Sequence, residues 1–422
     1  MQPGRKILII TYYWPPCGGA GVQRWLKFAK YLPEYGWEPI VLTVDPEYAE
    51  YPVIDKSLER DIRPGTRVYK TKTLNYFRLG RPVRPPLKAS GAPVSKKDNL
   101  KNRIARFIRG NFFIPDPRKG WNRYAISKAS ELISEEDIKF VVTTSPPHST
   151  QLIGLKLKSL FPDIKWIADL RDPWTDIYYY KQFYGSLPAR IYDHSLEKKV
   201  LQRADKLITV GDSLAGLFSE KLKDPDKNIS VITNGYDEED FTSVKETSPD
   251  ILTITYTGTL TEQYPVDSLI SSLLRLSSEG IKYVFNYIGS CPENIKNKII
   301  AKLPEDSCHF SSYITHRDAV DAMCKSAVLL LLIPDHKNNE IIITGKLFEY
   351  LRSRKPILII GPENGDAAHI VRKWNAGKTF EKTDHAGITS YLRSMITNQS
   401  KYNLPVKYNR RLLTARLIEE IE

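Results

Sequence analysis

The chain has few cysteines and no long apolar run. Its 422 residues include only four cysteines, and none of them forms a CxxC pair. This scarcity argues against a disulfide framework and against a structural zinc site, so we expect small buried thiols. No stretch reaches the roughly 18 apolar residues that a membrane-spanning helix needs. Met1–Lys6 leads directly into a strand-like run without a leader pattern, so we expect a cytoplasmic protein.

Acidic residues are scarce in the first third of the chain. The whole chain has a net charge of +13, and residues 1–120 alone hold 23 Lys/Arg against 10 Asp/Glu. Within them, Lys70–Arg109 holds 12 basic residues and a single acid, Asp98. A strip of this kind must be solvated or contact something anionic.

A basic amphipathic helix is predicted at Leu100–Phe113, after a proline-rich stretch. Ile104, Phe107 and Ile108 recur at helical spacing, with arginines beside them. Basic residues next to aromatic ones suit an anionic lipid surface, so segment 70–113 is predicted to bind the membrane. A disordered loop, a docked core helix and a nucleic-acid patch are the alternatives. No nucleic-acid-reading motif supports the last, so we expect no nucleic-acid partner.

The start of the chain has the pattern of a β-α-β unit. The apolar run Arg5–Thr11 is followed by a glycine-rich turn, an amphipathic helix at Val22–Tyr35 and a second apolar run at Pro39–Val44. Gly18 and Gly19 lie in the turn, beyond the carboxyl end of the first strand, where such folds bind ligands. The turn lacks the full GxGxxG spacing, so a tight turn without a ligand remains the alternative.

Charged and polar side chains follow two later strands of the predicted sheet. The strands are predicted at Lys139–Thr144 and Lys165–Leu170, and chemistry is placed beyond their carboxyl ends. Burying a charged side chain without a partner costs free energy. A structural salt bridge would explain one charged residue at this position, whereas three charged residues close together indicate a functional site. A single histidine in a loop more often forms hydrogen bonds with the backbone than takes part in catalysis. The residues concerned are His148, Asp169, Arg171 and Asp172.

The second half of the chain repeats this alternation of apolar strands and amphipathic helices. We therefore predict an α/β protein of two Rossmann-like doubly wound domains with a cleft between them. Residues 1–245 form the first domain, with a basic insert at 70–117, and residues 246–405 form the second. The polar stretch Asp237–Asp250 sets this boundary. A last helix within residues 406–422 is predicted to cross back to the first domain.

The helix predicted within Ile341–Pro356 has the most specific chemistry. Thr344 and Gly345 begin it. Lys346 falls in its first turn, where a cation is unfavourable beside the positive end of the helix dipole. A bound phosphate would remove this mismatch, because a helix N-terminus offers unpaired N–H groups. Glu349, one turn further on, can accept hydrogen bonds from a ribose diol. An ordinary amphipathic helix with solvated charges is the alternative.

Six short motifs follow one another along nearly the whole chain. They are YWPPCGGAG (Tyr13–Gly21), TSPPHS (Thr144–Ser149), DLRDPW (Asp169–Trp174), TNGYD (Thr233–Asp237), YTGTL (Tyr256–Leu260) and TGKLFEYL (Thr344–Leu351). Each motif is weak alone. Their order and separation make the chain resemble retaining GT-B glycosyltransferases of glycosyltransferase family 4, especially bacterial members that build cell-surface polysaccharides. The resemblance covers roughly residues 5–420.

The resemblance implies a nucleotide-diphosphate sugar as donor substrate and no cofactor. Glu349 matches the glutamate that binds the ribose hydroxyls, and Gly258 and Thr259 match the turn under the diphosphate. Gly345 and Lys346 match the helix start near the phosphates and the sugar. The other residues that we expect to bind the donor are Gly18, Gly19, Arg171, Asn234, Arg317 and Thr344.

The chain departs from the family pattern at three places. Many members have a glutamate where this chain has Ile341, and the nearest acid here is Glu340. No arginine or lysine follows the Gly-Thr turn, so Lys346 or Arg171 is expected to stabilise the diphosphate instead. Some members have a catalytic histidine after the strand that Asp172 follows, and Asp172 is expected to take part of its role.

We therefore expect a retaining glycosyltransferase that moves a hexose-type sugar to a lipid-linked or other saccharide acceptor at the inner face of the cell membrane. Asp172, Asp169 and His148 are the candidate catalytic residues. No carboxylate triad lies in a metal-binding context, so we expect no metal. The alternatives are a nucleotide-sugar epimerase of similar form and a non-catalytic protein that binds an anionic ligand or nucleic acid.

Overall fold

The computed structural model describes residues 5–74, 100–224, 227, 229–242, 251–397 and 402–422. The chain divides into two compact units. The N-terminal unit contains the described residues up to Thr233 together with Arg410–Glu422, and the C-terminal unit contains Asn234–Asn409. Each unit has its own sheet and its own hydrophobic core.

The sheet of the N-terminal unit has seven parallel strands in the order β3-β2-β1-β4-β5-β6-β7. The strands are β1 (Arg5–Ile10), β2 (Trp37–Val44), β3 (Arg67–Thr71), β4 (Phe140–Ser145), β5 (Lys165–Leu170), β6 (Lys206–Thr209) and β7 (Ile229–Val231). The helices are α1 (Ala20–Tyr31), α2 (Leu100–Phe112), α3 (Asn122–Glu136), α4 (Ser149–Leu160), α5 (Leu187–Arg203) and α6 (Asp212–Leu222). The order reverses between β1 and β4, which is the switch point where such sheets bind ligands.

The central strands are apolar because helices cover both faces of the sheet. In β1, Ile7 and Ile9 pack into one core cluster, whereas Leu8 and Ile10 pack into another. All four side chains are fully buried. Successive residues of a strand point to opposite faces, so a strand buried on both faces reads as a continuous apolar run.

The last helix of the chain, α13 (Arg410–Ile421), belongs to the N-terminal unit. Its Leu413, Leu417 and Ile421 are buried in the same cluster as Trp25 and Leu32, which lie on α1 and in the turn after it. The chain therefore returns from the C-terminal unit to complete the core of the N-terminal unit.

The sheet of the C-terminal unit has six parallel strands in the order β10-β9-β8-β11-β12-β13. The strands are β8 (Leu252–Thr257), β9 (Tyr283–Ile288), β10 (Cys308–Ser311), β11 (Val328–Leu332), β12 (Ile357–Ile360) and β13 (Gly377–Phe380). The helices are α7 (Val266–Ser278), α8 (Glu293–Ile300), α9 (His316–Cys324), α10 (Lys346–Ser353), α11 (Asp366–Lys373) and α12 (His385–Ser394). Two Rossmann-like α/β units are thus present, which confirms the predicted fold class.

The division between the units falls at Thr233/Asn234, whereas the sequence analysis placed the boundary after residue 245. The reason is the packing of the residues in between. Tyr236 and Phe241 are buried in the core cluster that contains Phe348. The backbone N–H of Tyr236 also donates to the carbonyl of Tyr408 at 3.0 Å, so this segment is held by the C-terminal unit. The chain returns to the N-terminal unit at Arg410, and the sequence analysis placed that point after residue 405.

The amphipathic helix predicted at Leu100–Phe113 is present as α2. Residues 75–99 of the predicted membrane-binding segment lie outside the described residues. On α2, Ile104, Phe107 and Ile108 are exposed. Across the described parts of the chain, none of the helices is both long enough and apolar enough to cross a membrane.

Candidate functional site

The first group of predicted site residues lies at the carboxyl ends of β8 and β9 in the C-terminal unit. Gly258 directly follows β8 with φ of +123°, and Gly289 directly follows β9 with φ of +139°. A Cβ added to Gly289 would lie 2.0 Å from the carbonyl oxygen of Gly258. The two turns therefore approach closely, and only glycine fits both the space and the backbone conformation.

Lys346 fills the space beside this turn. A Cβ added to Gly258 would lie 2.6 Å from the Nζ of Lys346. The same amine lies 4.0 Å from the ring centroid of Tyr256, in a cation–π contact. Burial lowers the pKa of Lys346 to about 7, and Glu349 opposes this shift. A half-buried ammonium beside a glycine turn is stabilised by an anion that binds there.

The turn that begins α10 is closed by two backbone hydrogen bonds next to Lys346. Leu347 N–H donates to the carbonyl of Thr344 at 3.2 Å, and Phe348 N–H donates to that of Gly345 at 3.2 Å. Within the part of the chain that the structure describes, the Oγ1 of Thr344 is buried and has no hydrogen-bond partner. A helix start beside a buried hydroxyl without a partner is suited to an anion, because the helix dipole is positive there.

Glu349 is oriented by a histidine that the sequence analysis did not select. The Nε2–H of His316, on α9, donates to the Oε1 of Glu349 at 2.8 Å. His316 is buried, and its Nδ1 lies 3.9 Å from a carboxylate oxygen of Asp240. The carboxylate of Glu349 is thereby fixed on the same face of α10 as Lys346, three positions apart.

Three other predicted donor-binding residues lie in the C-terminal unit. Thr259 is exposed, and its carbonyl accepts a hydrogen bond from the hydroxyl of Tyr256 at 3.1 Å. Arg317 is exposed, next to His316 on α9. Asn234 is half-buried at the start of the C-terminal unit.

The glycine-rich turn of the N-terminal unit lies between β1 and α1. The N–H of Gly18 donates to the carbonyl of Val53 at 2.9 Å. Gly19 precedes α1 with φ of +91°, a conformation that favours glycine, and no atom lies within 4 Å of a Cβ added there. The backbone of the turn is therefore held by a hydrogen bond at Gly18, whereas the space beside Gly19 is open.

Asp169 is completely buried at the carboxyl end of β5. Its carboxylate accepts from Arg24 Nη2 at 3.0 Å and from Trp25 Nε1 at 2.7 Å. A third donor is the Thr144 hydroxyl, at 2.7 Å. Arg24 also donates to the carbonyl of Thr233 at 3.0 Å. Asp169 thus joins α1 to the ends of β4 and β5, and this buried salt bridge accounts for its charge.

Arg171 and Asp172 follow Asp169 and are more accessible. The Nε of Arg171 donates to the carbonyl of Ser145 at 2.7 Å, which ties together the loops after β4 and β5. Burial lowers the pKa of Arg171, although both aspartates oppose this effect. Burial raises the pKa of Asp172, while Arg171 opposes that shift. Asp172 is therefore a half-buried carboxylate whose charge depends on its neighbours.

His148 lies in the loop after β4 and stacks on Trp174, with ring centroids 5.1 Å apart and an angle of 17° between the planes. Burial lowers the pKa of His148 to about 3, and Lys221 and Arg171 add to this effect. The imidazole is therefore neutral at pH 7. In the described residues both ring nitrogens are buried without a hydrogen-bond partner.

The structure thus forms two groups of predicted residues, each within one unit. In the C-terminal unit Gly258, Lys346 and Glu349 lie close together; in the N-terminal unit Asp169, Arg171, Asp172 and His148 surround the ends of β4 and β5. Sequence reasoning missed the partners of these residues, which are His316, Tyr256, Arg24, Trp25 and Trp174. Tyr256 and Trp174 fall within two of the six motifs, but nothing local in the sequence predicts the contacts that the five residues make.

Comparison with solved structures identifies the fold class. A glycosyltransferase from Rickettsia africae ESF-5 superposes with a TM-score of 0.58 at 14% identity, covering 99% of this chain and 98% of that one. Anabaena Alr3699/HepE, solved with UDP and glucose, superposes with a TM-score of 0.56 at 12% identity, covering 99% and 95%. A putative UDP-N-acetylglucosamine 2-epimerase from Listeria monocytogenes gives 0.54 at 12% identity, covering 98% and 95%. The two Rossmann-like units therefore have the GT-B arrangement of elements.

The family follows from the sequence comparison. The family model described as Glycosyltransferase Family 4 matches residues 18–240, which is more than half of the chain. The chain therefore belongs to glycosyltransferase family 4 and is a glycosyltransferase. No curated protein matches the chain significantly.

Proposed function

We propose that the protein transfers a sugar, with retention, from a nucleotide-diphosphate sugar to a lipid-linked saccharide acceptor in the biosynthesis of a cell-surface polysaccharide. The observation that carries this proposal is the position of Lys346. Its amine lies against the backbone of Gly258, at the start of α10, with Glu349 one turn further along. Anabaena Alr3699/HepE, which has the same fold, is solved with UDP and glucose, consistent with a nucleotide-sugar donor.

The C-terminal unit supplies the groups for the leaving group. The bond from the anomeric carbon to the diphosphate breaks, so negative charge develops on the phosphate oxygens. Lys346, the positive end of the α10 dipole and the Gly258 turn stabilise that charge without a metal ion. Glu349 accepts hydrogen bonds from the ribose hydroxyls, and His316 holds its carboxylate in position. Thr259, Thr344, Gly345, Asn234 and Arg317 complete the donor site in this proposal.

The N-terminal unit supplies the groups for the acceptor. The acceptor oxygen bonds to the anomeric carbon, and its proton passes to an oxygen of the departing phosphate. Asp172 and the neutral His148 orient the acceptor hydroxyl, while Arg171 offsets the negative charge of Asp172. Asp169 acts as a positioning residue through Arg24. Gly18 and Gly19 contribute backbone groups toward the donor.

The donor site is tested by binding of ADP, GDP and UDP, followed by the 2′-deoxy form of the tightest ligand. The wild type should prefer the ribonucleotide, because Glu349 contacts its diol. Glu349→Ala should bind both forms equally, whereas the exposed Glu305→Ala should behave as the wild type. Unchanged ribose preference in Glu349→Ala contradicts the proposal.

The Lys346 contribution is tested in the same way with the diphosphate. Lys346→Met keeps the apolar stem but removes the charge, so affinity for the nucleoside diphosphate should fall about tenfold or more. The exposed Lys302→Met is the matched control in the same unit. Equal affinity of Lys346→Met and the wild type would remove the main support for the proposal.

A nucleotide-sugar epimerase is the second candidate, because a putative epimerase has the same fold. Product analysis of nucleotide-sugar turnover without an acceptor distinguishes the two. An epimerised nucleotide sugar favours the epimerase; no reaction until a saccharide acceptor is added favours transfer.

We further propose that the protein works at the inner face of the membrane, with segment 70–113 on anionic lipid. Arg103 is exposed on α2, next to exposed apolar side chains of the same helix. Basic and apolar groups together bind anionic bilayers. Replacing Arg103, Arg106 and Arg109 should reduce flotation with phosphatidylglycerol vesicles. Equal flotation of the variant and the wild type counts against this part of the proposal.

A further inference from the structure

A cavity of about 250 Å³ lies in the N-terminal unit, between α2, the turn Tyr180–Phe183 and the start of α5. Its walls combine aromatic rings, such as Phe113, with the cationic side chains of Arg109, Lys181 and Arg190. Since one water molecule occupies about 30 Å³ of liquid, the cavity has room for a phosphate-sized head group but not for a long hydrocarbon chain.

One cation of this cavity, Arg109, is partly removed from water. The guanidinium carbon of Arg109 lies 4.0 Å from the ring centroid of Phe183, and burial lowers the pKa of Arg109. Tyr179 and Asp116 oppose this shift, whereas Lys181 and Arg190 are exposed. A half-buried guanidinium is stabilised when an anion binds beside it.

The wall of the cavity is closely built. A Cβ added to Gly110 would lie 2.2 Å from the carbonyl oxygen of Phe183, so α2 touches the backbone of the turn. The side chain of Asn111 donates to the carbonyl of Tyr184 at 3.2 Å and accepts from the N–H of Ser186 at 2.8 Å. These bonds fix the end of α2 against the start of α5.

Exposed apolar side chains lie within two positions of lining residues in the sequence, and we call them the rim of the cavity. Phe112 at the end of α2 is 66% exposed, and on α5 Leu187 is 62% and Ile191 is 61% exposed. Three large apolar side chains on neighbouring elements are unusual on a surface that contacts only water. Cations within the cavity and apolar groups at its rim together match an amphiphile with an anionic head.

The cavity is connected to the residues proposed to orient the acceptor. Asp193 lines the cavity, and its two oxygens accept from Trp174 Nε1 at 2.8 Å and from the Tyr180 hydroxyl at 2.9 Å. The same indole of Trp174 stacks on His148. One aromatic side chain therefore separates the cavity wall from His148.

We propose that this cavity binds the phosphate-bearing head of a lipid-linked acceptor, with the hydrocarbon chain lying on Phe112, Leu187 and Ile191. The inference rests on the proposed function and deepens it, because it assigns the acceptor a place in the N-terminal unit. A bilayer surface would engage exposed cations such as Arg103 rather than a cavity, and a free phosphate would gain nothing from the apolar rim.

The test uses farnesyl phosphate, below its micellar concentration, as the probe in calorimetric titrations of the full chain. The wild type should bind it, and Arg109→Gln and Arg190→Gln should each weaken binding about tenfold. Arg123→Gln, at an exposed position, is the matched control and should bind as the wild type. Arg190 is exposed, so its variant folds and carries the test even if Arg109→Gln is unstable. Equal affinity of Arg190→Gln and the wild type overturns the proposal.

The apolar rim is tested separately. Leu187→Glu should weaken farnesyl phosphate binding, whereas Ile300→Glu, at a 46% exposed position on α8, should not. If inorganic phosphate binds the wild type as tightly as farnesyl phosphate, the site serves free phosphate and the proposal is wrong.

The bilayer alternative and the proposed function have their own readouts. Flotation with phosphatidylglycerol vesicles should be unchanged in Arg190→Gln and reduced in Arg103→Gln. A parallel loss of flotation and probe binding in Arg190→Gln would assign the cavity to the bilayer and overturn the proposal. Nucleoside diphosphate binding is measured on the same samples. Its absence in the wild type would refute the proposed function, while probe binding would still decide the cavity.

Discussion

The amine of Lys346 lies 4.0 Å from the ring centroid of Tyr256, on the side of the ring next to Gly258. Tyr256 is fully buried, and its hydroxyl donates a hydrogen bond to the carbonyl of Thr259. The amine therefore packs on a buried aromatic ring. A phosphate that reaches the glycine turn meets an amine already in place.

Donor affinity should decrease as the pH rises above 7. The pKa of Lys346 is lowered to about 7 in the free protein, so the amine is about half protonated at pH 7 and mostly neutral at pH 8.5. A bound diphosphate favours the charged form, so binding takes up a proton in this range. Nucleoside diphosphate affinity should fall about tenfold from pH 7.0 to 8.5. Calorimetric titration at both pH values measures this affinity, and Lys346→Met should show no such decrease. A wild type that shows the same flat profile would contradict this role of Lys346.

Removing the imidazole of His316 should weaken donor binding through Glu349. His316→Ala leaves one oxygen of Glu349 without its 2.8 Å donor, so the carboxylate loses its fixed orientation. Loss of one hydrogen bond to a charged group corresponds to about 1.5–3 kcal/mol. We expect the KM for the donor to rise more than tenfold, with a smaller change in kcat. His316→Gln, which retains an N–H donor, should recover part of the affinity. His309→Ala, at an exposed position in the same unit, is the control. A fall in kcat with unchanged KM would argue against a positioning role.

Asp169→Asn should destabilise the N-terminal unit. The substitution leaves the fully buried Arg24 without a charged partner, and breaking a buried ion pair in this way costs about 3–5 kcal/mol. Chemical denaturation monitored by tryptophan fluorescence measures the loss. Asp163→Asn, the same change at an exposed position, should have little effect. Replacing Arg24 with Met in the Asp169→Asn background should recover stability, because the buried charge is gone. Purely additive losses would show that the two residues are not coupled.

The last helix should contribute to the stability of the N-terminal unit through its buried face. Leu417 is fully buried against the cluster that contains Trp25, whereas Leu412 on the same helix is 47% exposed. Leu417→Ala should lower the free energy of unfolding by about 2–5 kcal/mol, because it leaves a cavity. Leu412→Ala removes the same atoms from an exposed position, so it should lower the free energy of unfolding much less. Thermal and urea unfolding of both variants provide the comparison. Similar losses for the two would mean that α13 is only loosely docked.

The sequence predicted the central elements because they are buried on both faces. Strands such as β1 and β11 are continuous apolar runs, and the helix at Lys346 begins after a Thr-Gly pair, so local rules identify them. The edge strands β3, β10 and β13 were not predicted. Each has half-exposed residues and polar side chains, since one edge faces no neighbouring strand, so the apolar pattern is absent.

The sequence by itself determined the α/β class, the order of the motifs and the residue types at the turns, because each of these depends on neighbours along the chain. Only the tertiary structure decided which side chains meet. Arg24 and Asp169 are 145 positions apart, and His316 and Glu349 are 33 positions apart. No periodicity or turn propensity encodes such a distance. The pairing of parallel strands and the packing of helices on them bring these groups together, and that packing gives each motif its partner.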